Sequence, residues 1–140
     1  MVDRKVLAAV YQRAVLLVAT SEREGFGLPV AEALAVGTPV LASDLPVVRE
    51  VAGDAAVLVA GSDERVWAQA LGNLLDERQS RPGSWLERAT RARARGAEFS
   101  WARYARAMSA IYRATAGGRL PAATERAQAP ASASPVRERG

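Results

Sequence analysis

The chain has 140 residues and a formal net charge of +4, and 49% of its residues are hydrophobic, which suits one domain with a moderate core. It contains neither cysteine nor histidine, which excludes disulfides, thiolate metal sites and the usual general base. Any chemistry must therefore rely on carboxylates, arginines, hydroxyls and backbone amides.

The charge is unevenly distributed along the chain. Residues 1–77 carry 6 basic and 11 acidic side chains, a net charge of −5, whereas residues 78–140 carry 13 and 4, a net charge of +9. A basic half can attract nucleic acid or an anionic membrane. However, arginine and alanine dominate it and aromatic residues are not interleaved, so codon bias explains it better than a binding patch. We therefore expect no nucleic-acid partner.

No stretch of the sequence predicts insertion into a membrane. No apolar run approaches the roughly 20 residues of a transmembrane span. The N-terminal run Val6–Val10 is interrupted too soon, by Gln12 and Arg13, to be a signal peptide. We expect a cytoplasmic protein without a transmembrane segment.

The predicted elements alternate between helices and short apolar strands. They are a helix at 3–14, a strand at 15–19, a helix at 29–36, a strand at 40–42, a short helix at 47–52, a strand at 56–59, and three helices with Ser62, Ser84 and Ser100 as N-terminal caps. This order predicts an α/β fold, a partial Rossmann-like parallel sheet with flanking helices.

Two further expectations concern the limits of this domain. The run Val15–Ala19 contains no polar residue, which is typical of a strand buried on both faces of a parallel sheet. Three strands make a thin sheet, which suggests that further strands belong to it. Residues 117–140 are rich in proline, alanine, serine and arginine without periodicity, so we expect a domain at 1–116 and a disordered tail at 117–140.

The stretch between the first two strands is the most informative. Its loop, Glu24–Leu28, contains two glycines, which permit positive φ angles and close approach of the backbone to a ligand. Pro29 then opens a helix that closes at Gly37. The loop amides and the helix N-terminus together favour a phosphate or diphosphate. Glu32, one turn into the helix, can accept hydrogen bonds from two hydroxyls, as in a ribose.

On the residues alone, purely structural interpretations of this loop and its two glutamates stay open. Val30 stands where the Rossmann pattern needs its third glycine, and no Walker sequence is present. The loop is equally well explained as a structural turn, with Glu32 a solvated helix residue and Glu24 a loop charge. Ser43 and Asp44, at the end of the second strand, either border a site or form a turn.

A resemblance to a known family favours the ligand-binding interpretation of this loop. The run E-G-F-G-L-P-V-A-E-A separates Glu24 from Glu32 by seven residues. It resembles the E-x7-E signature of family 4 glycosyltransferases, which are retaining enzymes of the GT-B fold. The flanking segments are also similar to that family, so the resemblance covers about residues 3–115: V-L-A-A-V-Y-Q-R-A before it, A-V-G-T-P-V-L-A-S-D-L-P-V-V-R-E-V-A-G-D-A-A after it, and F-S-W-A-R-Y-A-R-A-M-S-A-I-Y-R, at 99–113, in the C-terminal helix region.

The resemblance implies transfer of a sugar from a nucleotide-diphosphate donor to an acceptor, with retained anomeric configuration. Glu32 matches the glutamate that binds the ribose hydroxyls, and Glu24 matches the glutamate near the donor sugar, the candidate catalytic residue. The donor-binding loop is matched by Gly25, Phe26, Gly27 and Leu28. The GT-B fold implies neither a bound metal nor another cofactor, so the expected partner is a nucleotide sugar.

The resemblance also implies that this chain is the donor-binding part of a larger enzyme. In the family, an arginine and a lysine from an earlier part of the same domain contact the diphosphate, and an N-terminal domain binds the acceptor. We expect little transfer by this chain alone. The alternative is a non-catalytic nucleotide-sugar-binding module that pairs with a separate N-terminal GT-B half. Peripheral association with the inner face of a membrane is also consistent with the family's role in lipid-linked or surface polysaccharide assembly.

Overall fold

The computed structural model describes residues 3–116. Their elements in chain order are α1 (Arg4–Arg13), β1 (Leu17–Ala19), α2 (Leu28–Val36), β2 (Val40–Ser43), α3 (Pro46–Ala52), β3 (Ala56–Val59), α4 (Glu64–Ser80), α5 (Pro82–Gly96) and α6 (Trp101–Ala116). The tail predicted at 117–140, and with it the boundary at residue 116, lies outside the described residues.

The three strands form one parallel sheet in the order β1-β2-β3. Successive residues of a strand point to opposite faces, and the central strand shows this directly. Val40 and Ala42 pack into a core with α2 and α3, while Leu41 packs on the other face with Leu74 of α4. The α/β fold with a partial Rossmann-like parallel sheet is thereby confirmed.

The prediction that the first strand is buried on both faces is wrong. β1 lies at an edge of the sheet, paired with β2. Leu17 and Ala19 pack against the core, but Val18, on the opposite face, is 43% exposed. The strand buried on both faces is β2, in which Val40, Leu41 and Ala42 are all 0% exposed, because it has neighbours on both sides and helices over both faces. An apolar run alone does not distinguish these two positions.

The helix starts were predicted less well than the strands. The N-cap of α4 is Asp63, which accepts a hydrogen bond from the Arg65 amide at 2.9 Å, and not Ser62. Helix α5 begins at Pro82, so the predicted Ser84 cap lies inside it; proline suits a first helical position because its missing N–H would have no partner there. The Ser100 cap is confirmed by a 3.3 Å hydrogen bond from the Arg103 amide.

Helix α2 carries the central motif and is well buried. Four of its nine residues are buried, namely Val30, Ala31, Ala33 and Leu34. It packs against α1, α3 and α5. As the connection between β1 and β2, it begins near the carboxyl ends of the strands, the edge at which parallel sheets bind ligands. The fold therefore places the motif at that edge.

The chain divides into two units between Arg103 and Tyr104. The first contains the sheet and every predicted site residue. The described part of the second consists of the continuation of α6 to Ala116. No helix among the described residues is long and apolar enough to cross a bilayer.

Candidate functional site

The loop before α2 is shaped by one left-handed residue. Gly27 caps the helix with φ 77° and ψ 41°, a conformation that costs a residue with a side chain about 1–2 kcal/mol. The first backbone bond of the helix runs from the Ala31 amide to the Gly27 carbonyl at 3.0 Å. The amides of Leu28 and Val30 precede that bond, and Pro29 has no N–H. Two donors therefore lie at the positive end of the helix dipole.

Gly25 differs from Gly27. Its φ is not positive, and within the protein a side chain there would meet no atom within 4 Å. Neither the backbone conformation nor packing of the described residues therefore requires glycine at this position. Its predicted contribution, close approach to a bound ligand, stays a prediction.

Glu24 is held by a neighbour at the end of β1. The Ser21 hydroxyl donates a hydrogen bond to Glu24 Oε1 at 2.7 Å, and both residues are partly buried. This bond uses one acceptor position of a carboxylate that has about four. Glu24 is thus oriented while most of its acceptor capacity stays available.

Glu32 is exposed on α2 and is contacted from α1. The Tyr11 hydroxyl donates a hydrogen bond to Glu32 Oε2 at 3.1 Å. Burial raises the pKa of the Tyr11 phenol above its usual 10.0, and the hydrogen bond and negative charge of Glu32 raise this pKa further. Tyr11 is therefore neutral at pH 7 and acts as the donor.

The aromatic residue of the loop is anchored from the end of α5. Phe26 meets Phe99 edge to face, with ring centroids 6.1 Å apart at 86°. The Arg95 guanidinium lies over the Phe99 ring, 5.1 Å from its centroid. Phe26 is nevertheless 49% exposed, and Leu28 beside it is also exposed. The loop thus combines a fixed apolar contact with apolar surface open to a ligand.

A cleft of about 570 Å³ lies along the carboxyl ends of the strands. Its lining combines hydroxyls and carboxylates with apolar side chains and one indole, contributed by Thr20, Ser21, Glu22, Ser43, Asp44, Leu45, Val59, Gly61, Ser62, Glu64 and Trp67. Of the two alternatives for Ser43 and Asp44, the structure shows both residues bordering this cleft, and Asp44 is also ion-paired with Arg49. Ser21 connects the cleft to Glu24. Within residues 3–116, no three acidic side chains lie close enough to hold a metal ion.

Comparison with known proteins identifies the family. The family model of glycosyl transferases group 1 matches residues 1–95, which include the whole loop and α2. The chain belongs to the group 1 glycosyltransferases. This supports the resemblance at the level of the group.

Curated relatives named as glycosyltransferases are similar to between about half and most of this chain and are much longer. A D-inositol 3-phosphate glycosyltransferase of Corynebacterium efficiens is 40% identical over 110 residues, which are 76% of this chain and 24% of the relative. One of Xylanimonas cellulosilytica is 42% identical over 123 residues, 86% of this chain and 28% of the relative. An O-antigen chain mannosyltransferase of Salmonella typhimurium is 44% identical over 68 residues, 49% of this chain and 19% of the relative. The chain thus spans about a quarter of the first two.

Two partners of the motif in this group 1 chain were missed from the sequence. Ser21 lies three residues before Glu24 and could have been found, since serine side chains commonly bond to neighbours in turns. Tyr11 lies in the helix that the sequence predicts at residues 3–14. Its separation of 21 residues from Glu32 hides the contact, although a partly buried tyrosine hydroxyl usually has a polar partner.

Proposed function

We propose that this chain is the donor-binding part of a retaining glycosyltransferase that uses a nucleotide-diphosphate sugar. The observation that carries the proposal is the arrangement around α2. Gly27, in a left-handed conformation, caps the helix at the end of the loop, the Ser21 hydroxyl holds Glu24 at the start of the loop, and Glu32 lies one turn into the helix, where it accepts a hydrogen bond from Tyr11. Membership of the group 1 glycosyltransferases supports the reaction class.

Each part of this arrangement has a chemical role in the proposal. The amides of Leu28 and Val30 and the helix dipole stabilise the diphosphate as it leaves with negative charge. Glu32 accepts hydrogen bonds from the ribose hydroxyls, and Glu24 contacts the donor sugar. Phe26 and Gly27 shape the loop around the ligand. The bond from the anomeric carbon to the diphosphate oxygen breaks, a bond to the acceptor oxygen forms on the same face of the sugar, and the proton of the acceptor hydroxyl passes to the leaving diphosphate oxygen.

Nucleotide binding tests the proposal directly. Calorimetry with UDP, GDP and ADP at millimolar concentration should reveal one that binds, and Glu32→Ala should weaken it roughly 10- to 100-fold, because two hydrogen bonds to a charged group are lost. Glu87→Ala, an exposed glutamate on α5, is the charge-matched control and should bind as the wild type does. No binding, or equal loss in both variants, would contradict the proposal.

The role of Glu24 can be separated from that of Glu32. Glu24→Ala should weaken binding of the nucleotide sugar but leave binding of the nucleotide alone nearly unchanged, because this carboxylate is proposed to contact the sugar. Glu32→Ala should weaken both ligands, because both contain the ribose. If Glu24→Ala affected both ligands equally, its assignment to the sugar would be wrong.

This chain alone should bind a nucleotide sugar but should not transfer the sugar efficiently. It spans 24% and 28% of two relatives, and the proposal assigns the acceptor and further diphosphate contacts to other parts of a larger enzyme. Incubation with labelled UDP-, GDP- and ADP-sugars and an acceptor panel should give little product. Efficient turnover by this chain alone would contradict that assignment.

A second candidate is a non-catalytic module that pairs with a separate N-terminal GT-B half. The exposed edge strand β1, with Val18 on its surface, favours a partner that continues the sheet. Addition of the N-terminal region of the Xylanimonas relative distinguishes the two: transfer that appears on mixing supports an enzyme half, whereas binding without transfer supports the module. Association with a membrane surface is proposed for either and is tested by sedimentation with anionic vesicles.

A further inference from the structure

Tyr11 is attached to the α2 region at two points. Its hydroxyl donates to Glu32 Oε2 at 3.1 Å, and its backbone carbonyl accepts a hydrogen bond from Thr38 Oγ1 at 2.7 Å. Thr38 is 4% exposed and lies in the turn between α2 and β2. The ring itself packs against the core cluster that contains the buried residues of α2. Both the backbone and the ring of Tyr11 are therefore fixed before any ligand binds.

Glu32 needs such a partner more than a buried residue would. It lies exposed on α2, and an exposed glutamate samples many rotamers, so its ordering on binding costs conformational entropy. The hydrogen bond from Tyr11 selects the rotamers in which Oε2 points toward α1. The Glu32 side chain is thereby already partly ordered in the free protein. Less conformational entropy is lost when a ligand binds, so the affinity is higher.

The contact leaves room for a ligand on the same carboxylate. A carboxylate has about four lone-pair positions on two oxygens, and Tyr11 occupies one of them on Oε2. Oε1 and the second position on Oε2 can still accept from two neighbouring hydroxyls. The phenol is a pure donor in this pair, because its pKa is raised above 10.0 by burial and by Glu32.

We infer that Tyr11 is a positioning residue for ribose recognition, which acts by orienting the Glu32 carboxylate. This inference rests on the proposed function, in which Glu32 binds the ribose hydroxyls. A purely structural Tyr11 would hold α1 against α2 without affecting which sugar hydroxyls are recognised. The two roles differ in their dependence on the ribose itself.

The decisive experiment compares ribose with deoxyribose. Tyr11→Phe keeps the ring and its packing but removes the hydroxyl; Tyr112→Phe, exposed on α6, is the matched control. Each variant is titrated with whichever of UDP, GDP or ADP binds the wild type best, and with its 2′-deoxy form. Tyr11→Phe should weaken the ribonucleotide roughly 3- to 10-fold and the deoxynucleotide less. Added to Glu32→Ala, it should cause no further loss.

The outcomes separate the inference from the proposed function. If Glu32→Ala weakens binding but Tyr11→Phe does not, or weakens both nucleotides equally, the positioning role is overturned and Tyr11 is a packing residue. Tighter binding by Tyr11→Phe also overturns it, because the phenol would then compete with the ribose. If Glu32→Ala has no effect, or no nucleotide binds at millimolar concentration, the proposed function fails and the inference with it. Equal melting temperatures of wild type and Tyr11→Phe would confirm that the loss is local.

Discussion

At Gly96 a single missing side chain decides how closely two helices approach. This residue ends α5 where the helix meets α2, and a methyl group on it would lie 2.3 Å from the backbone nitrogen of Ala35 and 2.4 Å from its Cα. Backbone atoms cannot rotate away as a flexible side chain can, so α2 or α5 would have to move. Since α2 also carries Glu32 and begins at the Gly27 cap, the packing at Gly96 influences the candidate site.

Gly96→Ala should therefore lower the free energy of unfolding by at least about 2 kcal/mol, because overpacking against backbone forces a shift of α2. The matched control is Gly72→Ala in the interior of α4, where a methyl group would meet no atom within 4 Å. It should raise stability by about 0.5–1 kcal/mol through helix propensity. Urea denaturation measures both. Equal stability of the two variants would show that α2 and α5 are not in close contact.

At the scale of elements, arginines of α5 donate hydrogen bonds to carbonyls at the C-terminal ends of other helices. Arg93 Nη2 donates to the carbonyl of Val36, the last residue of α2, at 2.8 Å, and Arg95 Nε donates to the carbonyl of Val51 in the last turn of α3 at 2.8 Å. The final carbonyls of a helix lack intrahelical partners and carry partial negative charge, so cations stabilise them. Part of the basic charge after residue 77 is therefore structural.

Arg95→Ala should destabilise the protein by about 1–3 kcal/mol, because it leaves helix carbonyls without a charged donor. It also removes the guanidinium over Phe99 and so loosens the contact between Phe99 and Phe26. Hydrogen exchange should then become faster in the loop 24–27 as well as at the end of α3. Arg91→Ala, exposed on the same helix, should change neither. Unchanged exchange in the loop would argue against a role of Phe99 in holding Phe26.

The elements that were predicted well are those whose limits are determined by neighbouring residues in the sequence. The third strand was placed at its observed residues, and α2 was bounded by Pro29 and Gly37 to within one residue, since proline and glycine mark helix ends regardless of tertiary context. The predicted start of α5 was wrong, because Ser84, a residue type that often caps helices, lies inside a helix that begins at Pro82. The edge position of β1 depends on its neighbours and not on its own residues.

In the candidate site, too, local features were predicted from the sequence and contacts between distant residues were not. Gly27 was predicted from its place between a strand and a helix, and its left-handed conformation confirms the need for glycine there. The contact of Tyr11 with Glu32 spans 21 residues and depends on how α1 packs against α2, which no local pattern records. The anchoring of Phe26 by Phe99 likewise depends on the path of the chain after α5.

At the scale of the whole molecule, one ion pair connects the two consecutive helices α4 and α5. Arg88 donates to the Glu77 carboxylate from Nη2 at 2.8 Å and from Nε at 3.3 Å, and the two side chains are 17% and 12% exposed, respectively. The hydrogen bond from Arg88 holds the pKa of Glu77 below its usual 4.5. Burial opposes this, and the charges of Arg88, Arg81 and Arg91 add to it. The pair therefore links stability to pH.

The sign of this linkage follows from the lowered pKa. In the acid range the unfolded chain binds the proton of Glu77 more readily than the folded one, so protonation favours unfolding. The stabilisation is complete above the ordinary pKa of a glutamate and is lost as the pH falls through the lower pKa of the folded state.

Glu77→Gln should reduce the free energy of unfolding on the order of 1 kcal/mol at pH 7. The difference in this free energy between the variant and the wild type should shrink between about pH 5 and pH 3. Glu87→Gln is the control, and urea titrations followed by tryptophan fluorescence give the measurement, since Trp67 of α4 and Trp85 of α5 pack against the same core cluster. A difference between wild type and Glu77→Gln that stayed constant down to pH 3 would mean that the charge of Glu77 contributes nothing to holding α4 and α5 together.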